Sequence, residues 1–203
     1  YPLIIGEREM GFDIHGLNPT EQTHKKPNLK LYKQDEDLWH EQYETWEKQD
    51  GSYFRNNVWW WRRLVDYIFD ECSDFLSSDD QGEWHMNNGH EVSKALAIKI
   101  ADRMDRLIEI GHAKQHEKMI SKKIMKAVEH NKKIKLEHDA LRKKVISKYK
   151  LKDPAPSNYP DNENKKWDEI QSREDYDAHY PFEVSNVREF AKFCRNSGGF
   201  SID

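Results

Sequence analysis

The densest recognition chemistry in the chain is the run YFRNNVWWWR, residues 53–62. Neighbouring residues of a helix point about 100° apart, so three consecutive tryptophans cannot share one core face. Trp61 continues an apolar stripe, which leaves Trp59 or Trp60 pointing elsewhere. With Arg55, Asn57 and Arg62 nearby, a free indole could stack on a base or another flat ligand while arginine meets a phosphate or carboxylate. The competing reading packs the outer indole beneath the N-terminal segment or the terminal helix. Asn88 and His90, in WHMNNGHE (84–91), are grouped with this candidate ligand or partner surface. His85, His90 and Glu91 also invite a metal. That His pair straddles Asn-Asn-Gly instead of one helical face, with no cysteine or carboxylate at ligand spacing, so no metal site is expected. Asn88-Gly89 reads as a turn and His90 as the opening of the next helix.

The second chemical feature is charge. The chain carries net charge −4, yet Ala113–Lys152 holds 14 Lys/Arg against 4 Asp/Glu, about +10, so the remainder stands near −14. Lys122, Lys123, Lys126, Lys132, Lys133, Lys135, Arg142, Lys143 and Lys144 form a candidate docking face. Such a face is solvated or self-associating, meets an acidic protein, or touches the nucleic-acid backbone without reading sequence. Lysine dominance without interleaved aromatics speaks against base readout. His112, His116, His130 and His138 lie among lysines and read as mostly solvated; His112 and His116, four apart, could share a face, but Lys114 and Lys118 oppose cation binding. No Gly-x-Ser-x-Gly, phosphate-cradling glycine loop or His-Glu-x-x-His occurs, so neither an enzyme nor a cofactor is expected.

These residues need elements to hold them. Charged residues make up 34% of the 203, so the apolar material must be concentrated, and seven Trp, nine Tyr and eight Phe supply it. Residues 1–36, broken by glycine and proline, read as an extended segment and loop, with Phe12 and Ile14 alternating as in a strand. Helices are expected over Asp35–Gln49 and, with Ser52–Asn57 leading in, from about Val58 to Leu76, where Trp61, Leu64, Val65, Ile68 and Cys72 make one broad stripe. Ser77–Gly89 is dense in turn formers and reads as a loop. Helical pattern then runs from Glu91 to Lys150, with Gly111 as its one plausible break.

Beyond Gly111, Ile120, Ile124, Ala127, Asn131, Ile134, His138, Leu141, Val145 and Lys148 follow 4-3-4-3 spacing, the seam of a coiled coil. So charged a helix needs a partner helix, from this chain or another copy, and a buried Asn131 would set register in a parallel pair. Residues 153–164 read as a proline-rich linker, and Trp167–Asp177 as a short helix returning toward the body. In the tail, Val187, Phe190, Ala191 and Cys194 mark a helix capped by Ser185 or Asn186. Gly198-Gly199 ends it, and Phe200–Ile202 is a terminal strand placed beside Phe12–Leu17. The expected fold is mainly α. A compact aromatic-rich body (1–112 with 165–203) carries a long protruding coiled-coil-like arm (113–152), with a minor terminal β pairing.

Cys72 and Cys194 sit in apolar contexts without framework spacing and read as buried free thiols. No apolar run approaches the ~18 residues that span a membrane, and YPLIIGERE does not read as a secretory signal, so a cytoplasmic location in a host cell is expected.

Four segments, GFDIHGLNP (11–19), YFRNNVWWWR (53–62), NNGHEVSKALAIKIADRM (87–104) and FEVSNVREFAKFCRNSGGFSI (182–202), occur in this order. Together they resemble a family of small, functionally uncharacterised proteins common in bacteriophage and prophage genomes. Its members typically begin at the equivalent of Met10 and pass almost directly from Gly-Leu-Asn-Pro to the Tyr-Phe-Arg-Asn-Asn motif. Here Thr20–Ser52 intervenes. Many members carry a cysteine-rich, zinc-ribbon-like insert before the terminal motif, where this chain has its lysine-rich arm. The resemblance implies a viral accessory protein with an exchangeable appendage, and no particular reaction. The expected function is non-enzymatic binding of a host or defence component, with a nucleotide- or nucleic-acid-binding module and a self-associating virion or assembly component as alternatives.

Overall fold

The computed structural model describes residues 11–153 and 155–203. The extended start expected over residues 1–10, and Pro154 of the expected linker, lie outside them. The element order is β1 (Gly11–Gly16), α1 (Leu29–Gln34), α2 (Glu36–Glu47), β2 (Tyr53–Asn57), α3 (Val58–Cys72), α4 (Ser78–Glu83), β3 (His90–Ser93), α5 (Lys94–Glu109), α6 (His112–Tyr149), α7 (Asp161–Gln171), α8 (Val184–Asn196) and β4 (Gly199–Ile202). The fold is mainly α with a small antiparallel sheet. Two compact units divide it: the described residues of Tyr1–Glu117 with Phe182–Asp203, and Lys118–Pro181. The boundaries therefore fall at 117/118 and 181/182, and residues 165–181, expected in the body, belong to the second unit.

In the first unit the strands lie in the order β2-β1-β4-β3. β4 does pair with β1, Ile14 opposite Ile202 and Gly16 opposite Phe200. Alternation along each strand sends Phe12, Ile14, Phe54, Val92, Phe200 and Ile202 to one buried face. α3, α5 and α8 supply the rest of that core. Trp61 is fully buried, stacks on Phe12 at 5.4 Å and donates its indole N–H to the Trp84 carbonyl. α8 buries Val187, Phe190, Ala191, Phe193 and Cys194, and its Arg195 reaches Asp102 and Asp105 of α5. Cys72 and Cys194 are buried free thiols. α8 starts at Val184, one or two residues before the expected caps, because the Glu117 carboxylate accepts from the Val184 N–H in place of a side-chain cap.

Three expectations need correction. Tyr53–Asn57 is a strand and not a run-in to the helix, because Phe54 fills the core face while Tyr53 and Arg55 point outward against β1. Residues 90–93 form β3, and Ser93, not His90, caps α5 with its hydroxyl on the Leu96 N–H. The expected loop over 77–89 contains α4, started by a capping box in which Ser77 and Asp80 satisfy each other's backbone. Trp84, at its end, is fully buried.

Thr20–Ser52 folds as α1 and α2 on the outward face of the sheet. The buried Gln49 amide ties the segment together, accepting from Thr23 and from the His24 N–H and donating to the His24 carbonyl. At its exit Gly51 has φ +83°, and a Cβ there would meet the Asn196 carbonyl oxygen at 2.1 Å. Only glycine fits.

In the second unit α6 runs unbroken to Tyr149, where Lys150 turns to φ +50°. Ile120, Ala127, Ile134 and Val145 of the expected seam are buried. Their cover comes from the same chain. α7 and the turn after it run antiparallel to α6: Lys148 meets Glu163, His138 meets Trp167, Glu137 meets Arg173, and Asn131 meets Asp175. Asn131 therefore sets no parallel register. Its carboxamide instead donates to the Asp175 carbonyl and accepts from the Asp175 N–H, both at 2.9 Å, because one amide matches the two backbone groups of one residue.

Candidate functional site

The Trp/Arg segment changes period at Asn57, from a strand's two to a helix's 3.6, and this splits its residues. Asn57 is spent as the N-cap of α3, its Oδ1 accepting from the Trp60 N–H. The three indoles then diverge. Trp61 is buried, Trp60 is half-buried, and Trp59 is 38% exposed. Arg62 is exposed on the same helix. Trp60, Arg55, Asn56 and the start of α8 line a shallow groove, bridged where Asn56 donates to Asn186. Glu183 and Glu189 also line it, and Arg55 lies 3.6 Å from Asp13. Two carboxylates line the groove with one guanidinium, which Asp13 already meets, so a phosphate-bearing ligand is electrostatically disfavoured there.

Next to this groove, the outward face of the sheet gathers a polar cluster that the sequence reading did not single out. β1 presents Asp13 and His15, β2 presents Tyr53 and Arg55, and β4 presents Ser201, with Asp203 just beyond it. His15 Nδ1 lies 2.9 Å from an Asp203 carboxylate oxygen, which also accepts from the Ser201 hydroxyl. Tyr53 donates to Asp13. Trp46 of α2 stacks over the His15 ring at 5.9 Å, with the Lys26 ammonium 4.8 Å from that indole. Burial, with the Lys26 charge behind it, lowers the His15 pKa against the opposing pull of Asp203. Burial and the bond to Asp13 push the Tyr53 phenol well up. His15 Nε2 is buried and has no hydrogen-bond partner among the described residues. A pKa lowered below 6.5 leaves the imidazole uncharged at neutral pH, and burial of Nε2 closes it to proton transfer with a ligand in this conformation. The signal was the alternation of Phe12 and Ile14, which places Asp13 and His15 together on the opposite face.

The expected grouping of Asn88 and His90 with the tryptophans does not form. β2 and β3 are opposite edges of the sheet. His90 Nε2 lies 3.1 Å from Asp80, and the Asn88 amide donates to Glu83. Both side chains hold α4 to the start of β3. Among the described residues no group of three His, Cys, Asp or Glu side chains could hold a metal.

The arm gives a different picture. All nine basic residues expected on its docking face are exposed. Arg142 lies 5.6 Å from the centre of the Trp167 ring, and Lys132 lies 3.4 Å from Glu129. Lys122, Lys123, Lys126, Lys133, Lys135 and Lys143 are in no ion pair among the described residues. At 100° and 1.5 Å per residue, Lys122, Lys126 and Lys133 fall within about 40° of one another along roughly 16 Å of helix. No helix among the described residues is long and apolar enough to cross a membrane. Compared with known protein families, curated proteins and solved structures, the chain matches none.

Proposed function

We propose that this chain is a non-enzymatic accessory protein of bacteriophage type that docks, through the lysine-rich outer face of α6, onto an acidic surface of a host or defence protein. One observation carries the reading. The seam of α6 is met by α7 at His138 and by the following turn at Asn131, both from the same chain, while Lys122, Lys126 and Lys133 on the opposite face make no ion pair among the described residues. An exposed single-sign stripe raises the encounter rate with a complementary surface and sets its salt dependence. The resemblance supports the viral setting and an exchangeable appendage, since the arm stands where related proteins carry another insert. Burial of Ile120, Ala127, Ile134 and Val145 in the single chain favours this reading over pairing of copies through the seam.

The test compares the chain with a variant carrying Lys122→Glu, Lys126→Glu and Lys133→Glu. Capture is made from host lysate with and without nuclease, alongside titration with a polyglutamate peptide and a duplex DNA. The reading expects a discrete acidic protein, recovered after nuclease treatment, lost in high salt and lost in the variant. Recovery of the same proteins by the variant would sink the role of the arm. Retention that disappears with nuclease would assign the face to nucleic acid instead.

A further inference from the structure

Beside the seam, within Lys118–Pro181, a cavity of about 390 Å³ opens between α6 and the turn that follows α7. Its apolar lining is Val128 and Ile134 of α6 and Ala178 of the turn, beside the amides of Asn131 and Gln171. Lys132 and Lys135, three residues apart on α6, stand on one side, and His138 closes one end. The His138 ring is held flat against Trp167, with 3.9 Å between ring centres and 11° between planes. A fixed flat wall over an aliphatic floor suits a planar apolar body, and the volume lies in the range of small-molecule sites, roughly 300–1,000 Å³.

The charges decide which planar body. The carboxylate lining the cavity, Glu174, accepts from the Gln171 amide and lies 3.7 Å from His179 Nε2, so local partners already engage it. Lys135 has no ion pair among the described residues, and Lys132 is matched only by Glu129, one turn back on the exposed surface. The cavity thus offers an apolar interior and an uncommitted ammonium at its mouth.

We infer that this cavity is a binding site for a small aromatic anion, a planar ring system bearing one carboxylate or phosphate, seated on Val128, Ile134 and Ala178 with its charge on Lys135 and Lys132. The site shares Lys132 and Lys135 with the docking face but does not use the Lys122–Lys126–Lys133 row, so the two can be perturbed separately.

Titration of the full chain with 2-naphthoate, 2-naphthyl phosphate and the neutral 2-naphthamide, followed by heteronuclear NMR, tests the assignment. Saturable one-to-one binding is expected for at least one anion, with shifts centred on Val128, Ile134 and Ala178 and affinity at least about tenfold above the neutral analogue. The tighter anion identifies the headgroup. Lys135→Glu, at an exposed position that does not threaten folding, should weaken it by about tenfold or more. Filling the floor with Ala178→Leu should abolish binding while leaving the remaining spectrum in place. Absence of saturable binding by either anion, equal affinity for the amide, or an unchanged affinity in Lys135→Glu would each overturn the inference.

Discussion

Replacing Asn131 with alanine removes both hydrogen bonds between α6 and Asp175. Each side chain–backbone bond contributes about 1 kcal/mol net, so the pair stands near 2 kcal/mol. Alanine is the better helix former by up to ~0.7 kcal/mol, which leaves a net loss of roughly 1.5 kcal/mol. That corresponds to about a tenfold rise in the open population of the hairpin. Native-state hydrogen exchange measures it directly, because protection of amides in α7 and the facing part of α6 reports local opening. The expectation is a roughly tenfold fall in protection confined to Lys118–Pro181, with α3, α5 and α8 unchanged. Lys133→Ala, on the solvent side of the same helix, is the control and should leave protection as it was. Unchanged or increased protection in Asn131→Ala would refute the Asn131–Asp175 contact and the in-chain hairpin it fastens.

Other perturbations probe the first unit. Trp61→Ala should cost about 3–5 kcal/mol in denaturant unfolding, since the indole is fully buried between Phe12 and Trp84, whereas Trp59→Ala should cost under about 1 kcal/mol. Equal costs would contradict the splitting of the three tryptophans. For His15 the folded pKa is depressed, chiefly by burial, so its contribution is complete above the unfolded value of ~6.5 and is lost as pH falls from there through the folded value. Stability measured across that window should fall with acid in the parent chain and fall less in His15→Gln; identical slopes would dismiss the buried neutral imidazole. Burial pushes the Cys72 thiol up to about 12 and Cys194 well above its ordinary value, so a maleimide should label neither until the chain unfolds. Rapid labelling of the native protein would show that α3 and α8 do not bury them.

Long amphipathic helices were legible because their apolar spacing is redundant. α2, α3, α8 and the α6 seam each repeat the signal over three turns or more. Short elements were not. β2 has five residues and β3 four, too few for alternation to stand out beside the helices they lead into. α4 is written in turn formers, and what sustains it is the Ser77–Asp80 capping box and the anchoring of Trp84 beneath it. The expected pairing of Phe200–Ile202 with Phe12–Leu17 forms because both segments are apolar on one face and bounded by glycine. The polar cluster was not legible, because it depends on the register, which sets Ser201 beside His15 and brings Asp203 to it across 188 residues.

For the arm, the period states that a partner is needed but not which one. The partner is chosen by residues the period does not weigh. Asn131 and His138 are polar interruptions in an apolar seam, yet each meets the backbone of the returning segment, at Asp175 and at Trp167. Two side chains that look like a cost to a coiled coil are what make an in-chain hairpin specific.

The most direct test is whether the seam of α6 is covered by its own chain, because only then are the outer lysines left for a partner. An isotope-filtered NOE experiment on an equal mixture of labelled and unlabelled chains decides it at the His138–Trp167 stack. The expected result is a strong His138–Trp167 NOE within the labelled chain and none between labelled and unlabelled chains. An intermolecular NOE between these two rings would contradict the account, returning the arm to a device for pairing copies.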